Sequence, residues 1–265
     1  MRILLYSLIV FSASLHLHIP AVAQDWKKER WKVESQLTSL FPLKKVVTES
    51  GFFGTGSGFS LTSHPKSAFG VELNSSFITT KREIGNKKWF VELNIGAGLE
   101  AMFISSDVEL FSYPAFFSGH QVTMFNYESK TTQLTAFVDN TLIFSKKLDK
   151  VEIGMGLNFR TIYTFFSHTR NNGYSTDVVT GESNEYSESG ADLWDLGVWL
   201  DNFYALSYAF HGVFTVTPIS LKGFYGTMRI PLHPVVRVSS VRAKHYGFSI
   251  GIGYRFSKKK TSNSD

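Results

Sequence analysis

The sequence predicts an all-β protein, an antiparallel up-and-down barrel whose strands cross a membrane. Its last strand carries the pattern best, since residues 246–256 read YGFSIGIGYRF and alternate between large apolar and small or polar side chains. Successive side chains of a strand point to opposite faces, so one face is apolar throughout. Such a strand rises about 36 Å, and tilted by about 40° it spans about 28 Å, close to the apolar band of an outer-membrane barrel.

The same period of two recurs along the chain and excludes a helical class. Clear examples are residues 89–103, where Trp89, Val91 and Leu93 share one parity with the apolar residues that follow. We predict about ten strands, with eight to twelve allowed because Pro114 interrupts the fifth. The predicted strands are 31–41, 51–62, 68–80, 88–104, one within 108–127, 131–145, 150–166, 191–202, 204–217 and 236–256.

Short and long connections alternate, as in an up-and-down membrane barrel. Tight turns are predicted at 63–67, at 146–149 and near Asn202. Longer loops, rich in turn-forming residues, are predicted at 41–50, 167–190 and 218–234. An even number of strands places both termini on the periplasmic side, with the long loops at the opposite rim.

The polar face of the strands indicates which side of the wall is the lumen. A secreted lipocalin-like barrel would also alternate, with its apolar face inside. Here the polar face is rich in glycine, repeated in the pattern I-G-x-G that begins at Ile95, Ile153 and Ile250. Small residues and opposed charges suit a narrow lumen, whereas a face in water favours longer polar side chains. We therefore expect the apolar face to lie outside, against lipid.

The two ends are expected to be a signal peptide and a tail. Arg2, an apolar core and the small residues at 21–23 predict a signal peptide over 1–23, with a retained anchor as the alternative. The barrel is expected over 24–256 and a polar tail over 257–265. The chain has no cysteine, which removes disulfides, thiolate metal sites and a lipoprotein anchor.

The chain resembles the small outer-membrane β-barrel proteins of Bacteroidota, also described as porin-family or PorT-like proteins. The alternating strands and the closing residues 251–256 carry the resemblance. It implies a location in the outer membrane of a Gram-negative cell. The implied partners are outer-membrane lipid and lipopolysaccharide, the barrel assembly machinery and an envelope protein. Tyr254 and Phe256 would then serve as the aromatic insertion signal.

Inward charges are the candidate functional residues. They are Glu92, Glu100, Asp139, Arg160 and Arg255. A barrel of eight to ten strands is filled by side chains, so we expect a paired structural network. A proton or ion path through a narrow channel is the alternative.

An enzyme is the other alternative, acting on lipid A or on peptides at the extracellular rim. His168 is the best candidate for a residue of such a catalytic site, because the segment after it carries Asp177, Glu182, Glu185 and Glu188. No recognisable catalytic motif accompanies these residues, so we expect no catalytic residues, cofactor or metal. The charge of +5 is scattered over turns, and nucleic acid is not expected as a partner. The predicted role is non-enzymatic, with surface loops as contact sites.

Overall fold

The computed structural model describes residues 29–52, 58–84, 88–113, 122–193, 206–238 and 242–257. The expected signal peptide and the polar tail from 258 onward lie outside these residues. All regular structure in the described part is β-strand, and every strand pair is antiparallel. No helix in this part is long and apolar enough to cross a membrane.

The described residues form twelve strands. Their bounds are β1 Glu29–Pro42, β2 Val47–Phe52, β3 Gly58–Pro65, β4 Ala68–Ile84, β5 Trp89–Tyr113, β6 Thr123–Lys147, β7 Val151–Asp177, β8 Ser183–Leu193, β9 Leu206–Pro218, β10 Phe224–Pro231, β11 Val235–Val238 and β12 Arg242–Ser257.

Eight of these strands close into a ring. The order around it is β5, β4, β1, β12, β10, β9, β7 and β6, and β6 pairs again with β5. The first and last strands meet along the whole length of β1, from Glu29 opposite Ser257 to Pro42 opposite His245. The predicted antiparallel barrel is therefore confirmed.

The other four strands prolong the wall beyond one end of the ring. β3 pairs with residues 106–113 of β5, directly beyond the stretch that pairs with β4. β8 extends the line of β9 along β7 in the same way, and β11 extends that of β10 along β12. β2 pairs with β3. We call the part of the sheet beyond the ring, formed by β2, β3, β8 and the ends of β5, β6 and β7, the extension.

The ring has eight strands, fewer than the ten that the sequence pattern favours but within the predicted range of eight to twelve. Residues 114–121 of the predicted fifth strand within 108–127 lie outside the described part, and the described strand residues on either side belong to other strands. Residues 108–113 end β5, and residues 123–127 begin β6, so both strands are longer than the apolar pattern suggests. The segment 51–62 contains the end of β2 and most of β3, which pair as a hairpin.

Two of the predicted long loops are wrong. Residues 167–190 form the paired ends of β7 and β8, with a short turn at 178–182. Residues 218–234 contain a short turn at the end of the barrel that holds the termini, followed by β10. The predicted tight turn at 63–67 does not reverse the chain, because β3 and β4 run in one direction along β5. The turn at 146–149 does join β6 to β7.

The apolar face of the ring lies outside. Leu37, Leu99 and Ile252 expose 66%, 58% and 69% of their surface, while residues of the opposite parity on the same strands, such as Gln36, Glu100 and Arg255, are buried in the lumen. Along β5 the outward face is apolar from Trp89 to Phe103, and the next two outward residues are Ser105 and Asp107. The apolar belt therefore ends where the extension begins.

Candidate functional site: an ionic network in the lumen

Two arginines hold the centre of the lumen together. Arg160 on β7 binds Glu72 on β4 with both of its terminal nitrogens, at 2.6 and 2.9 Å, and donates to Asp139 on β6 at 3.0 Å. Arg229 on β10 donates to the same Glu72 at 2.8 Å and to Glu34 on β1 at 2.6 Å. All five side chains are buried. The central cluster thus links five of the eight ring strands by charge-assisted hydrogen bonds.

Small and flat neighbours make room for this cluster. The Arg160 guanidinium stacks on the Phe137 ring, with 3.7 Å between its central carbon and the ring centroid. A Cβ at Gly96 would lie 2.6 Å from the nearer carboxylate oxygen of Asp139. The Asn74 side chain donates to the other Asp139 oxygen at 3.3 Å. Gly96 of the I-G-x-G pattern therefore leaves room for Asp139, as Gly98 does for the Phe137 ring and Gly253 for the Tyr225 ring.

A second cluster lies toward the end of the barrel that holds the termini. Lys32 on β1 forms an ion pair with Glu92 on β5, and both are buried. Arg255 on β12 lies 3.9 Å from Glu92 and 3.7 Å from Glu152. Lys81 lies 4.0 and 3.8 Å from the same two carboxylates.

Tyr225 connects the two clusters. Its hydroxyl donates to Glu34 at 2.7 Å, and its ring lies 5.1 Å from the central carbon of the Arg255 guanidinium. Five cations and six carboxylates of the described residues thus lie inside one narrow tube. They are Lys32, Lys81, Arg160, Arg229 and Arg255 with Glu34, Glu72, Glu92, Glu100, Asp139 and Glu152.

An apolar layer lies above the central cluster, toward the extension. Leu40, Ala68, Met102 and Ile104 form one buried group. Phe137, Ile162 and Ala209 form another at the same end of the ring. Between this layer and the Arg160 and Arg229 side chains lies a cavity of about 20 Å³. This is room for about one water molecule.

The arrangement is suited to holding strands together. Buried charges are tolerated only when they are paired and hydrogen-bonded, and each carboxylate of the central cluster has a cationic partner. Within the described residues, no three His, Asp or Glu side chains are grouped so that they could hold a metal ion.

The structure places the predicted lumen residues in both clusters. Asp139 and Arg160 belong to the central one, and Glu92 and Arg255 to the lower one. Glu100 is also inward and buried, and accepts a hydrogen bond from Thr135 at 3.3 Å. The predicted insertion-signal residues, Tyr254 and Phe256, lie outward near the end of β12, with their rings 5.0 Å apart.

Six members of the network were not among the candidates: Lys32, Glu34, Glu72, Lys81, Glu152 and Arg229. The parity of 31–41 and of 68–80 puts Lys32, Glu34 and Glu72 on the inward face. Arg229 lies within 218–234, where the sequence predicts a loop. The alternation of Phe224, Gly226 and Met228 with inward residues was its only signal, and Pro231 and Pro234 obscured it.

The histidines and acids suggested for an enzyme are dispersed. His168 lies in β7, opposite Thr132 and beside Arg170, rather than in a loop. Asp177 is nine residues further along the same strand, and Glu188 pairs across from Asn171. Burial raises the pKa of Tyr186 in the extension to about 12, helped by the hydrogen bond that Tyr186 donates to Glu188.

Comparisons with known proteins return only distant structural similarity. No family model and no curated protein matches the chain. The solved structures include a deltaS2 mutant of the TodX monoaromatic hydrocarbon channel, with 8% identity, 88% of this chain and 91% of that chain covered, and a TM-score of 0.24.

Two autotransporter domains are similar to a comparable degree. The translocator domain of NalP from Neisseria meningitidis has 11% identity, coverage of 96% of both chains and a TM-score of 0.21. The transport unit of AIDA-I from Escherichia coli has 9% identity, covers 91% and 94%, and has a TM-score of 0.22. The fold described above rests on the strand pairing of this chain alone.

Proposed function

We propose that this protein is a non-enzymatic integral barrel of the outer membrane of a Gram-negative bacterium, belonging to the small barrel proteins of Bacteroidota. Its lumen is a structural brace, and its extension is a contact surface outside the cell. The observation that carries the proposal is the outward apolar belt around a closed ring whose interior is charged.

The belt supports a membrane location on physical grounds. Soluble monomers rarely expose a continuous apolar patch larger than roughly 300–600 Å². Here every ring strand presents apolar side chains outward, with aromatic residues such as Trp31, Phe69 and Phe103 near its two edges. Aromatic side chains at both edges of an apolar band are typical of membrane barrels.

The lumen supports a structural role over a channel. Charged side chains from opposite strands meet across the tube, and the apolar layer covers them on the side of the extension. An eight-stranded barrel is just wide enough to be filled by its own side chains. The dispersal of His168 and the acidic residues supports the non-enzymatic role.

The turn lengths support an orientation with the extension outside the cell. Both described turns at the end that holds the termini are short, 148–150 and 219–223. The other end carries strands that continue about 26 Å along β5 beyond the belt. Short periplasmic turns and longer extracellular segments are the usual arrangement. The outward aromatic pair Tyr254 and Phe256 would then be available to the assembly machinery.

Cell fractionation and gel mobility test the location. The protein should be recovered with the outer membrane and migrate differently on SDS gels before and after boiling, because a closed β-barrel resists SDS. Recovery from the soluble periplasm would refute the proposal. In planar bilayers the purified protein should be electrically silent, and steady single-channel steps would instead favour a narrow channel.

A further inference from the structure

A group of lysines lies directly above the apolar belt where the first and last strands meet. Phe41 of β1 pairs with Tyr246 of β12, and both rings face outward at the top of the belt. One step further, the Leu43 backbone N–H donates to the Lys244 carbonyl at 2.8 Å. Lys244 is the first charged outward residue of β12 above the belt, and Lys44 and Lys45 follow Leu43.

These three side chains carry uncompensated charge. Lys44, Lys45 and Lys244 are all exposed, and none of the ion pairs between described side chains involves them. The neighbouring Leu43 and Val46 expose about half of their apolar surface, at 50% and 46%. Cationic and apolar groups therefore lie side by side at the boundary of the belt. We call these five residues the lysine patch.

The opposite side of the barrel differs at the same height. Lys66 forms ion pairs with Asp107 at 2.7 Å and with Glu128 at 3.2 Å. Lys130 lies 2.8 Å from the other Glu128 oxygen. Two lysines there face two carboxylates, so their charge is balanced within the protein. The contrast identifies the β1–β12 side as the one that can attract an anionic partner.

We propose that the lysine patch binds the phosphate groups of lipopolysaccharide, with Leu43 and Val46 against the first carbons of its acyl chains. The proposal rests on the proposed function, because only the outer leaflet of an outer membrane brings such a lipid to this height. Lysine ammonium groups bind phosphate as point charges, and a basic residue near an anionic lipid surface contributes about 1 kcal/mol. A ligand with phosphates and acyl chains joined at one place matches both halves of the patch.

The test uses full-length mature protein in zwitterionic detergent and purified lipid A as the probe. In the triple variant Lys44→Gln, Lys45→Gln and Lys244→Gln, lipid A should bind at least tenfold more weakly. The matched control replaces Lys146, Lys147 and Lys150 with Gln at the opposite rim, removes the same charge, and should leave the affinity unchanged. Heat-dependent gel mobility confirms that each variant is folded.

Three further measurements examine the chemistry. Binding to the wild type should weaken as salt is raised, since exposed charges are screened. Lipid A stripped of its phosphates should bind like the triple variant, and millimolar inorganic phosphate should compete poorly.

Equal binding of stripped lipid, equal loss in the control variant, or full competition by inorganic phosphate would each overturn the proposal. Because fractionation of the wild type does not depend on these lysines, a protein found in the outer membrane with unchanged lipid A affinity in the triple variant would refute the lysine patch alone.

Discussion

At the level of single residues, the lumen depends on charges that stabilise only as a group. Glu72 accepts hydrogen bonds from both Arg160 and Arg229, and Asp139 is shared in the same way, although at 3.5 Å from Arg229. Removal of one member leaves the others buried without a full set of partners. Such a loss lowers the free energy of unfolding by more than the intact pair contributes to it, because the remaining buried charge cannot regain its water.

Arg160→Met should therefore destabilise the folded barrel by about 3–5 kcal/mol, since Glu72 and Asp139 lose their main donor. Urea unfolding in detergent, followed by tryptophan fluorescence, measures the change. Lys66→Met is the matched control, because it removes an exposed cation with two carboxylate partners and should cost less than about 1 kcal/mol. Equal costs for the two variants would contradict the bracing role of the lumen.

Glu128, in the extension, gives a residue-level prediction with pH. Hydrogen bonds from Lys130 and Lys66 hold the pKa of Glu128 below its ordinary value of 4.5. A depressed carboxyl pKa means that the contact stabilises the fold above the ordinary value and is lost as pH falls through the lowered one. In an NMR titration, Lys130→Met should move the Glu128 pKa upward. A Glu128 that titrates at the same pH in the variant would show that the hydrogen bonds are not formed in solution.

At the level of elements, the strand wall is shaped by close approach at a few glycines. A Cβ at Gly251 would lie 2.2 Å from the Ser35 carbonyl oxygen and 2.5 Å from the Gln36 side chain. A Cβ at Gly226 meets only one atom, at 3.9 Å. Both are strand glycines with negative φ, so the difference between them is one of space alone.

Gly251→Ala should therefore lower the yield of folded barrel and its urea midpoint, whereas Gly226→Ala should be neutral. The first variant forces β1 and β12 apart at the seam that closes the ring, and overpacking of this kind costs about 1–3 kcal/mol. The measurement is the fraction of SDS-resistant protein after refolding. Full resistance of Gly251→Ala would contradict the tight seam.

The elements also show what the sequence could and could not predict. A period of two identified β1, β4, β5, β6, β7, β9 and β12, because an apolar outer face and a narrow polar lumen impose strict alternation. β10 was missed because its outward face includes Gly226 and two prolines follow. The ends of β5, β6 and β7 were missed because the outward residues in the extension are no longer apolar. The partners within the lumen were not predictable, since register between distant strands decides them.

At the level of the whole molecule, the orientation can be tested because the chain has no cysteine. Single variants Glu109→Cys and Asn172→Cys should react with a membrane-impermeant maleimide on intact cells. Lys147→Cys should react only after permeabilisation, and the outward Leu99→Cys should be protected by lipid in both conditions. Labelling of Lys147→Cys on intact cells, with Glu109→Cys protected, would reverse the orientation.

Among the described residues, three of the eight positions around the wall are interrupted at nearly the same height. The chain leaves the ladder after Pro42, between Pro65 and Ala68, and between Pro231 and Val235. The pairing of the eight ring strands is therefore complete below these breaks and does not depend on the strands above them. Substitutions, insertions and exchanges of segments above the breaks should leave the folded ring intact. In the proposed orientation, the surface outside the cell can therefore diversify quickly during evolution while the ring beneath it changes slowly.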